Sequence, residues 1–438
     1  MRLQLPRVAT APFCPSEVRG TVIVPPGLSG WRKLFRSAGP GLLVAVGYMD
    51  PGNWATDIES GSRYGYDLLF VVILCGFAAI LLQWLAMRLG LVARRDLAEM
   101  ARERYSPAAV RTLWLLAEIA IIATDIAEVL GSALAFNLLL GVPLWAGVLL
   151  TGFDTLIVLG LKGHGFRQLE AIIFGLILTI AICFTVQLAL VGPSTAGLLH
   201  GAMPKIAIFG DPHALYLAVG ILGATVMPHN LYLHSAIVQT RLGAPGVTGT
   251  REALRFGTID IVVALCLATL VNGAILTLSA ATFHSNGYTA VAEIEGAYRL
   301  LAPLTGAAAA ALLFGIALFA SGQSATFTGT IAGQVILEGF LDLKIPCWQR
   351  RVITRGLALL PALAGVLWFG DHAVGKLLVL TQVVLSLQLP FAIYPLIRFT
   401  SDRTIMGEFA SPLWVRIPAW GLFGLIVIAN LWLISSWL

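Results

Sequence analysis

The chain has 438 residues, of which 58% are hydrophobic and only 12% charged, whereas a soluble domain carries about a quarter charged residues. Apolar stretches of about 20 residues recur roughly every 40 residues from end to end, which excludes a soluble enzyme on a membrane anchor and places the chain in a lipid bilayer as a polytopic protein. With 28 basic and 23 acidic residues the formal charge is +5, and the basic residues form short clusters without aromatic interleaving, which argues against a nucleic-acid partner.

Residues 1–37 are polar and contain prolines, and they lack a short apolar core followed by a small-residue cleavage site, so a cytoplasmic tail without a removable signal is expected. Eleven apolar segments follow, at about 38–60, 67–91, 109–136, 142–161, 168–191, 213–240, 257–283, 303–338, 352–370, 374–397 and 414–437. All the basic residues except Arg63, Lys205, Arg299 and Lys376 fall in the tail and in alternate gaps between these segments. Because positive charge near helix ends is retained in the cytoplasm, this alternation places the N-terminus inside and, after eleven spans, the C-terminus outside. The five cysteines are scattered, with no CxxC pair, and read as packing residues.

The first segment runs apolar from Gly41 to Met49 and is then interrupted by Asp50-Pro51-Gly52-Asn53. All four residue types favour turns, so one reading ends the segment at Asp50 and leaves the stretch from Trp54 to Tyr66 outside. The other keeps it as a broken membrane helix, since proline removes a backbone donor and forces a helix open. The third segment carries Glu118, Asp125 and Glu128; at 100° per residue they lie within a sector of roughly 80° and face into the bundle together. Acids in a membrane span mark ion or proton routes by default, with pairing to Arg350, Arg351 or Arg355 as the structural alternative. Asp154 and Asp260 stand alone in their segments and suggest no role.

The sixth segment repeats the pattern of the first: apolar from Leu215 to Val226, then Met227-Pro228-His229-Asn230. Prolines at the same point of segments one and six indicate an inverted-repeat transporter of five helices plus five, with the eleventh added and the site at mid-membrane. The first repeat then covers about 38–191, the second about 213–397 and the extra helix about 414–437. The donors available at the breaks are Asp50, Asn53, Met227 and freed carbonyls near Gly47 and Ala224. Oxygen donors alone suit Mg²⁺ or Ca²⁺, while the thioether of Met227 favours late first-row metals. His229 is either a satisfied core residue or a proton relay.

These residues resemble the Nramp family (natural resistance-associated macrophage proteins), proton-coupled manganese and iron transporters, and most closely the bacterial manganese-transporting branch. The carriers are Gly39 to Trp54, Gly223 to Ser235 and Gly322 to Gln334. The resemblance implies an all-α, leucine-transporter-type fold in a bacterial inner membrane. It implies Asp50, Asn53 and Met227 as metal ligands, with the Ala224 carbonyl as a further donor, and Gln382 or the neighbouring Gln388 as a tenth-helix ligand; the Gly47 carbonyl is a candidate from the break alone. It further implies Asp50, His229, Glu118, Asp125 and Glu128 on a proton route. Mn²⁺ or Fe²⁺ and protons would be the substrates, with no cofactor and no obligate protein partner. A membrane-embedded hydrolase is disfavoured because HExxH and GxSxG are both missing. A magnesium transporter or an amino-acid symporter would share the fold, but an acid and a thioether in the breaks misfit a substrate carboxylate.

Overall fold

In hydrocarbon every backbone polar group must find its partner within the protein, so the apolar segments become helices. The computed structural model describes residues 19–22, 24, 28, 30–153, 166–241, 246–343, 347–369 and 374–437. The first segment is α1 (Pro40–Ala45), a 3₁₀ turn over Val46–Met49, and α2 (Pro51–Tyr64). The second and third are α3 (Leu69–Ala93) and α5 (Pro107–Leu140), joined by the polar α4 (Leu97–Arg104). Next come α6 (Leu144–Thr151) and α7 (Phe166–Val191). The sixth segment is α8 (Pro212–Thr225) and α9 (Pro228–Ile237). The chain continues through α10 (Val247–Thr282), α11 (Ile294–Thr305), α12 (Ala308–Leu341), α13 (Cys347–Phe369), α14 (Val374–Ser401) and α15 (Leu413–Trp437).

Among the described residues eight helices are long and apolar enough to cross a membrane, corresponding to segments two, three, five, six, seven, eight, ten and eleven. Segments one and nine are shorter apolar helices. Only Leu144–Thr151 of segment four is a described helix, and Asp154 lies outside the described residues. Two expected boundaries shift. The eighth span was expected at 303–338, but the chain breaks at Gly306, whose φ of 67° ends α11 in a left-handed cap; α11 is therefore a separate helix and the span starts at Ala308. The seventh span starts at Val247, ten residues before the apolar run: the added residues are exposed or half-buried, and a helix already formed extends at one backbone hydrogen bond per residue.

The stretch after Asp50 does not lie outside the bundle. In α2, Trp54, Ala55, Thr56, Ile58, Ser60 and Gly61 are all buried, and Trp54 packs between Phe184 and Phe314 at ring-centroid distances of 4.9 and 5.1 Å. Helix neighbours repeat with the two halves exchanged: segment one lies on segment seven as segment six lies on segment two, and segment five lies on eight as ten lies on three. With five spans per half, an odd number, the second unit is inverted relative to the first. This is the five-plus-five arrangement, and it puts both breaks at its centre.

Candidate metal centre and acidic helix

Both breaks are built by local rules legible in the chain. Asp50 takes an extended conformation and caps α2, its side chain accepting from the Asn53 N–H at 2.9 Å, with Pro51 as the first helical residue. Met227 occupies the same position before Pro228 at the start of α9. The 3₁₀ turn ends at Met49, whose carbonyl accepts from Trp54 Nε1 (3.2 Å) and Ser321 Oγ (2.5 Å). A carbonyl freed by the break is therefore satisfied by side chains, not by the next turn of helix.

Three oxygens from the two breaks converge on one atom. Asn53 Nδ2 lies 2.6 Å from Asp50 Oδ1, 3.1 Å from the Ala224 carbonyl and 3.5 Å from the Gly47 carbonyl. An amide NH₂ has only two protons to offer three acceptors. Asn53 Oδ1 in turn accepts from Asn272 Nδ2 at 3.2 Å. Asp50 is fully buried and Asn53 almost so. Among the described residues no hydrogen-bond donor reaches Asp50 Oδ2, Thr225 Oγ1, Asn230 Oδ1 or Gln382 Oε1, all buried at or beside the breaks. A buried acceptor left this way costs about 1–3 kcal/mol, and four together make a locus that gains from a cation. The carbonyl ends of α1 and α8 add negative partial charge, while the Asp50 carboxylate offsets the positive N-terminus of α2.

Met227 is fully buried among Ala120, Ala123 and Leu385. Its sulfur accepts from Asn230 Nδ2 at 3.7 Å, and that same amide lies where a side chain at Gly47 would have to go. Asn230 thus ties the second break to the first. Gln382 rather than Gln388 is beside the site: a Cβ at Gly52 would collide with the Gln382 side-chain amide, and one at Gly223 with its backbone oxygen.

His229 Nδ1 lies 3.3 Å from Thr124 Oγ1, on α5, and Thr124 donates to the Ala120 carbonyl at 3.0 Å. Sequence reasoning links His229 to the proton route, and the structure joins it to the acidic helix through that threonine. On α5, Asp125 and Glu128 are buried and Glu118 is half-buried, accepting from Trp114 Nε1 at 3.1 Å. Glu128 packs on Gly329 of α12 and stands 3.8 Å from Arg355 Nη1, both side chains being deeply buried. The basic partner expected from segment nine is therefore present for Glu128, while the side chains of Arg350 and Arg351 lie outside the described residues. Three residues were missed. Asn230 belongs to the second break but carries no role in the sequence reading, Asn272 is a lone amide in an apolar helix, and Asp260, given no role, accepts from the N–H groups of Gly39 (3.1 Å) and Gly41 (2.7 Å) at the entrance to α1. Of the cysteines read as packing residues, Cys75 and Cys183 are buried and Cys266 is exposed, while Cys14 and the side chain of Cys347 lie outside the described residues.

The chain matches the model of the natural resistance-associated macrophage protein-like (Nramp) family over residues 41–436. It is 62% identical over 430 residues to the divalent metal cation transporter MntH of Ralstonia nicotianae, covering 98% of this chain and 97% of that one. It is also 62% identical over 437 residues to MntH 1 of Pseudomonas aeruginosa, covering all of both. A crystal structure of the manganese transporter of Eremococcus coleocola, in complex with an aromatic bis-isothiourea substituted compound, superposes with a TM-score of 0.90 at 38% identity over 96% of this chain and 90% of that chain. Mhp1, a nucleobase-cation-symport-1 family transporter, superposes with a TM-score of 0.56 at 15% identity over 83% of this chain and 78% of that chain, and shows the shared fold alone. The motifs, the two broken helices and these likenesses agree: the chain belongs to the Nramp family.

Proposed function

We propose that this protein carries divalent transition metal ions, Mn²⁺ or Fe²⁺, across a bacterial inner membrane into the cytoplasm, coupled to protons, by alternating access. The observation that carries the reading is the convergence of Asp50 Oδ1 and the Gly47 and Ala224 carbonyls on Asn53 Nδ2. The amide nitrogen takes the place where a cation would gather the same oxygens. When the metal arrives, the Asn53 amide turns over so that its oxygen joins them; Asn272, which now donates to that oxygen, is the group that must let go. Met227 supplies the soft donor that hard ions gain little from, and Gln382 Oε1 is a further uncommitted oxygen beside Gly52.

The metal is cargo and not a resident cofactor, and Asp50 carries the one formal charge among the ligands. Protons released there, or entering with the metal, have His229 on α9 and, through Thr124, the acids Glu118, Asp125 and Glu128 of α5 as polar stations. The arginine-rich ends of the helices, with the tail, face the cytoplasm, and the C-terminus faces out. The test is uptake by proteoliposomes of Mn²⁺, Fe²⁺, Mg²⁺ and Ca²⁺ side by side, with internal pH recorded. Mn²⁺ uptake with acidification supports the reading. Uptake of Mg²⁺ in preference to Mn²⁺, or of an amino acid, would replace it with another transporter of the same fold.

A further inference from the structure

Where α14 meets α15, on the arginine-rich side of the bundle, a cavity of about 410 Å³ is lined by Tyr394, Arg398, Ser401, Asp402, Arg416 and Trp420, among others. Neither guanidinium is committed elsewhere: among the described residues Arg398 and Arg416 have no carboxylate within ion-pair distance, and Arg398 donates only to the Tyr394 hydroxyl one turn away, at 3.3 Å. Both side chains are exposed. The one acid in the lining is occupied. Asp402 Oδ1 accepts from the N–H and the hydroxyl of Thr404, both at 2.8 Å, and those bonds, the hydroxyl's first, hold its carboxyl below the usual carboxylate range. Two cations and one anion leave the cavity a net single positive charge.

The same faces change character with depth. On α14, Arg398 is followed toward mid-membrane by Tyr394 and then Phe391, which are 40% and 44% exposed. On α15, Arg416 is followed by Trp420 and Phe423, and the Trp420 ring stands edge-on to both Tyr394 (5.7 Å) and Phe423 (5.4 Å). Each helix therefore presents a cation at the interface, an amphipathic ring below it and apolar surface below that. A free anion would use only the first level. A molecule with an anionic head and hydrocarbon tails fits all three.

We infer that this cavity is a phosphate site for an anionic phospholipid of the arginine-side leaflet, with Arg398 and Arg416 on the phosphodiester and the acyl chains lying along Tyr394, Phe391 and Trp420. The lipid would bridge α15, the helix outside the two repeats, to α14, which carries Gln382 beside the breaks. The experiment is native mass spectrometry of the full chain in detergent with phosphatidylglycerol and phosphatidylcholine supplied together. The parent should retain phosphatidylglycerol selectively. The double variant Arg398→Gln with Arg416→Gln should hold it about thirtyfold more weakly, since each guanidinium near an anionic headgroup contributes about fivefold. Arg111→Gln, an exposed arginine bonded only to its own helix, should change nothing. A parent without selectivity, equal retention by the double variant, or equal loss in Arg111→Gln would overturn the site. Competing inorganic phosphate separates the two sources of the same chemistry: no displacement supports the lipid, and displacement at matched concentration overturns it in favour of a free anion. A second measurement avoids the arginine variants. Phosphatidylglycerol brominated on its acyl chains should quench the fluorescence that disappears in Trp420→Phe, and absence of that quenching would also overturn the proposal.

Discussion

Asp50 does two jobs with its two oxygens: Oδ1 caps α2 and Oδ2 is left without a donor. Replacing it by Ala removes the cap, worth about 1 kcal/mol, and, under the proposed function, the single negative charge that a bound dication would face, worth about 3 kcal/mol or more in a buried setting. Metal affinity in Asp50→Ala should therefore fall more than a hundredfold, measured by isothermal calorimetry with Mn²⁺ on protein shown to be folded; near-parental affinity would move the site elsewhere. Met227→Ala leaves an all-oxygen site that hard ions tolerate. Its preference for Mn²⁺ over Ca²⁺ should drop about tenfold, 1.4 kcal/mol, with Mn²⁺ uptake reduced less, and competition uptake reads the difference directly. Asp50, Asn53, Met227, Gly47, Ala224 and His229 were legible in the sequence because each sits within four residues of a proline that opens its helix. Asn272 was not, because its partner Asn53 is 219 residues away and a single amide in an apolar run carries no local signal. Asp260 was passed over for the same reason: the donors it satisfies belong to the entrance of another helix.

An element is legible when its pattern is carried by many residues, and so the apolar spans were found while their ends were not. Gly306 ends α11 through its positive φ; Pro303 and Gly306 stand in the run between Leu300 and Leu313, but proline and glycine also lie inside unbroken helices of this chain, as Pro361 and Gly365 do in α13, so residue type alone does not split the run. Close approach between elements is equally hidden: Gly52 admits Gln382, Gly131 admits the Pro51 ring and Gly329 admits Glu128. Gly52→Ala should leave the helices intact but push the Gln382 amide away from the break, lowering Mn²⁺ uptake with little change in thermal stability; unchanged uptake would mean that Gln382 takes no part. The acids of α5 support a separate expectation. A carboxylate takes up and releases a proton as its surroundings alternate between wet and dry, and an amide of the same shape does not. Glu128→Gln also keeps a hydrogen-bonding group opposite Arg355. It should cut metal-driven acidification of proteoliposomes more than it cuts Mn²⁺ uptake. Equal loss of the two fluxes would assign Glu128 to folding or to the conformational cycle.

Across the whole molecule the enclosed site lies between two sets of polar ties. At the tail end the Ala38 carbonyl accepts from Arg167 (2.7 Å) and Arg241 (3.1 Å), Arg241 pairs with Glu170 at 2.5 Å, and Asp260 holds the first N–H groups of α1. At the other end Tyr64 donates to Asp211 at 2.7 Å, His213 meets Glu59 at 3.0 Å, and Ser62 donates to the Tyr288 carbonyl at 2.8 Å. Every one of these ties joins a half-helix of the first or sixth segment, or its immediate flank, to a neighbour. Alternating access needs the two ends to loosen in turn, so weakening one set should shift the population toward opening on that side. Glu170→Gln removes the charge from a buried hydrogen bond worth about 1.5–3 kcal/mol, enough to raise the tail-open fraction tenfold or more. Val238, 2% exposed, lines a cavity of about 30 Å³ beside Pro40, Arg241 and Asp260, where that opening would begin. In a background without native cysteines, Val238→Cys should react at least about tenfold faster with a membrane-impermeant thiol reagent when Glu170→Gln is added, while Tyr216→Cys on the opposite side should react no faster. Equal labelling of Val238→Cys with and without the substitution would show that the Glu170–Arg241 pair is not part of the barrier. Faster labelling at both positions would point to a loosened fold, not a shifted cycle.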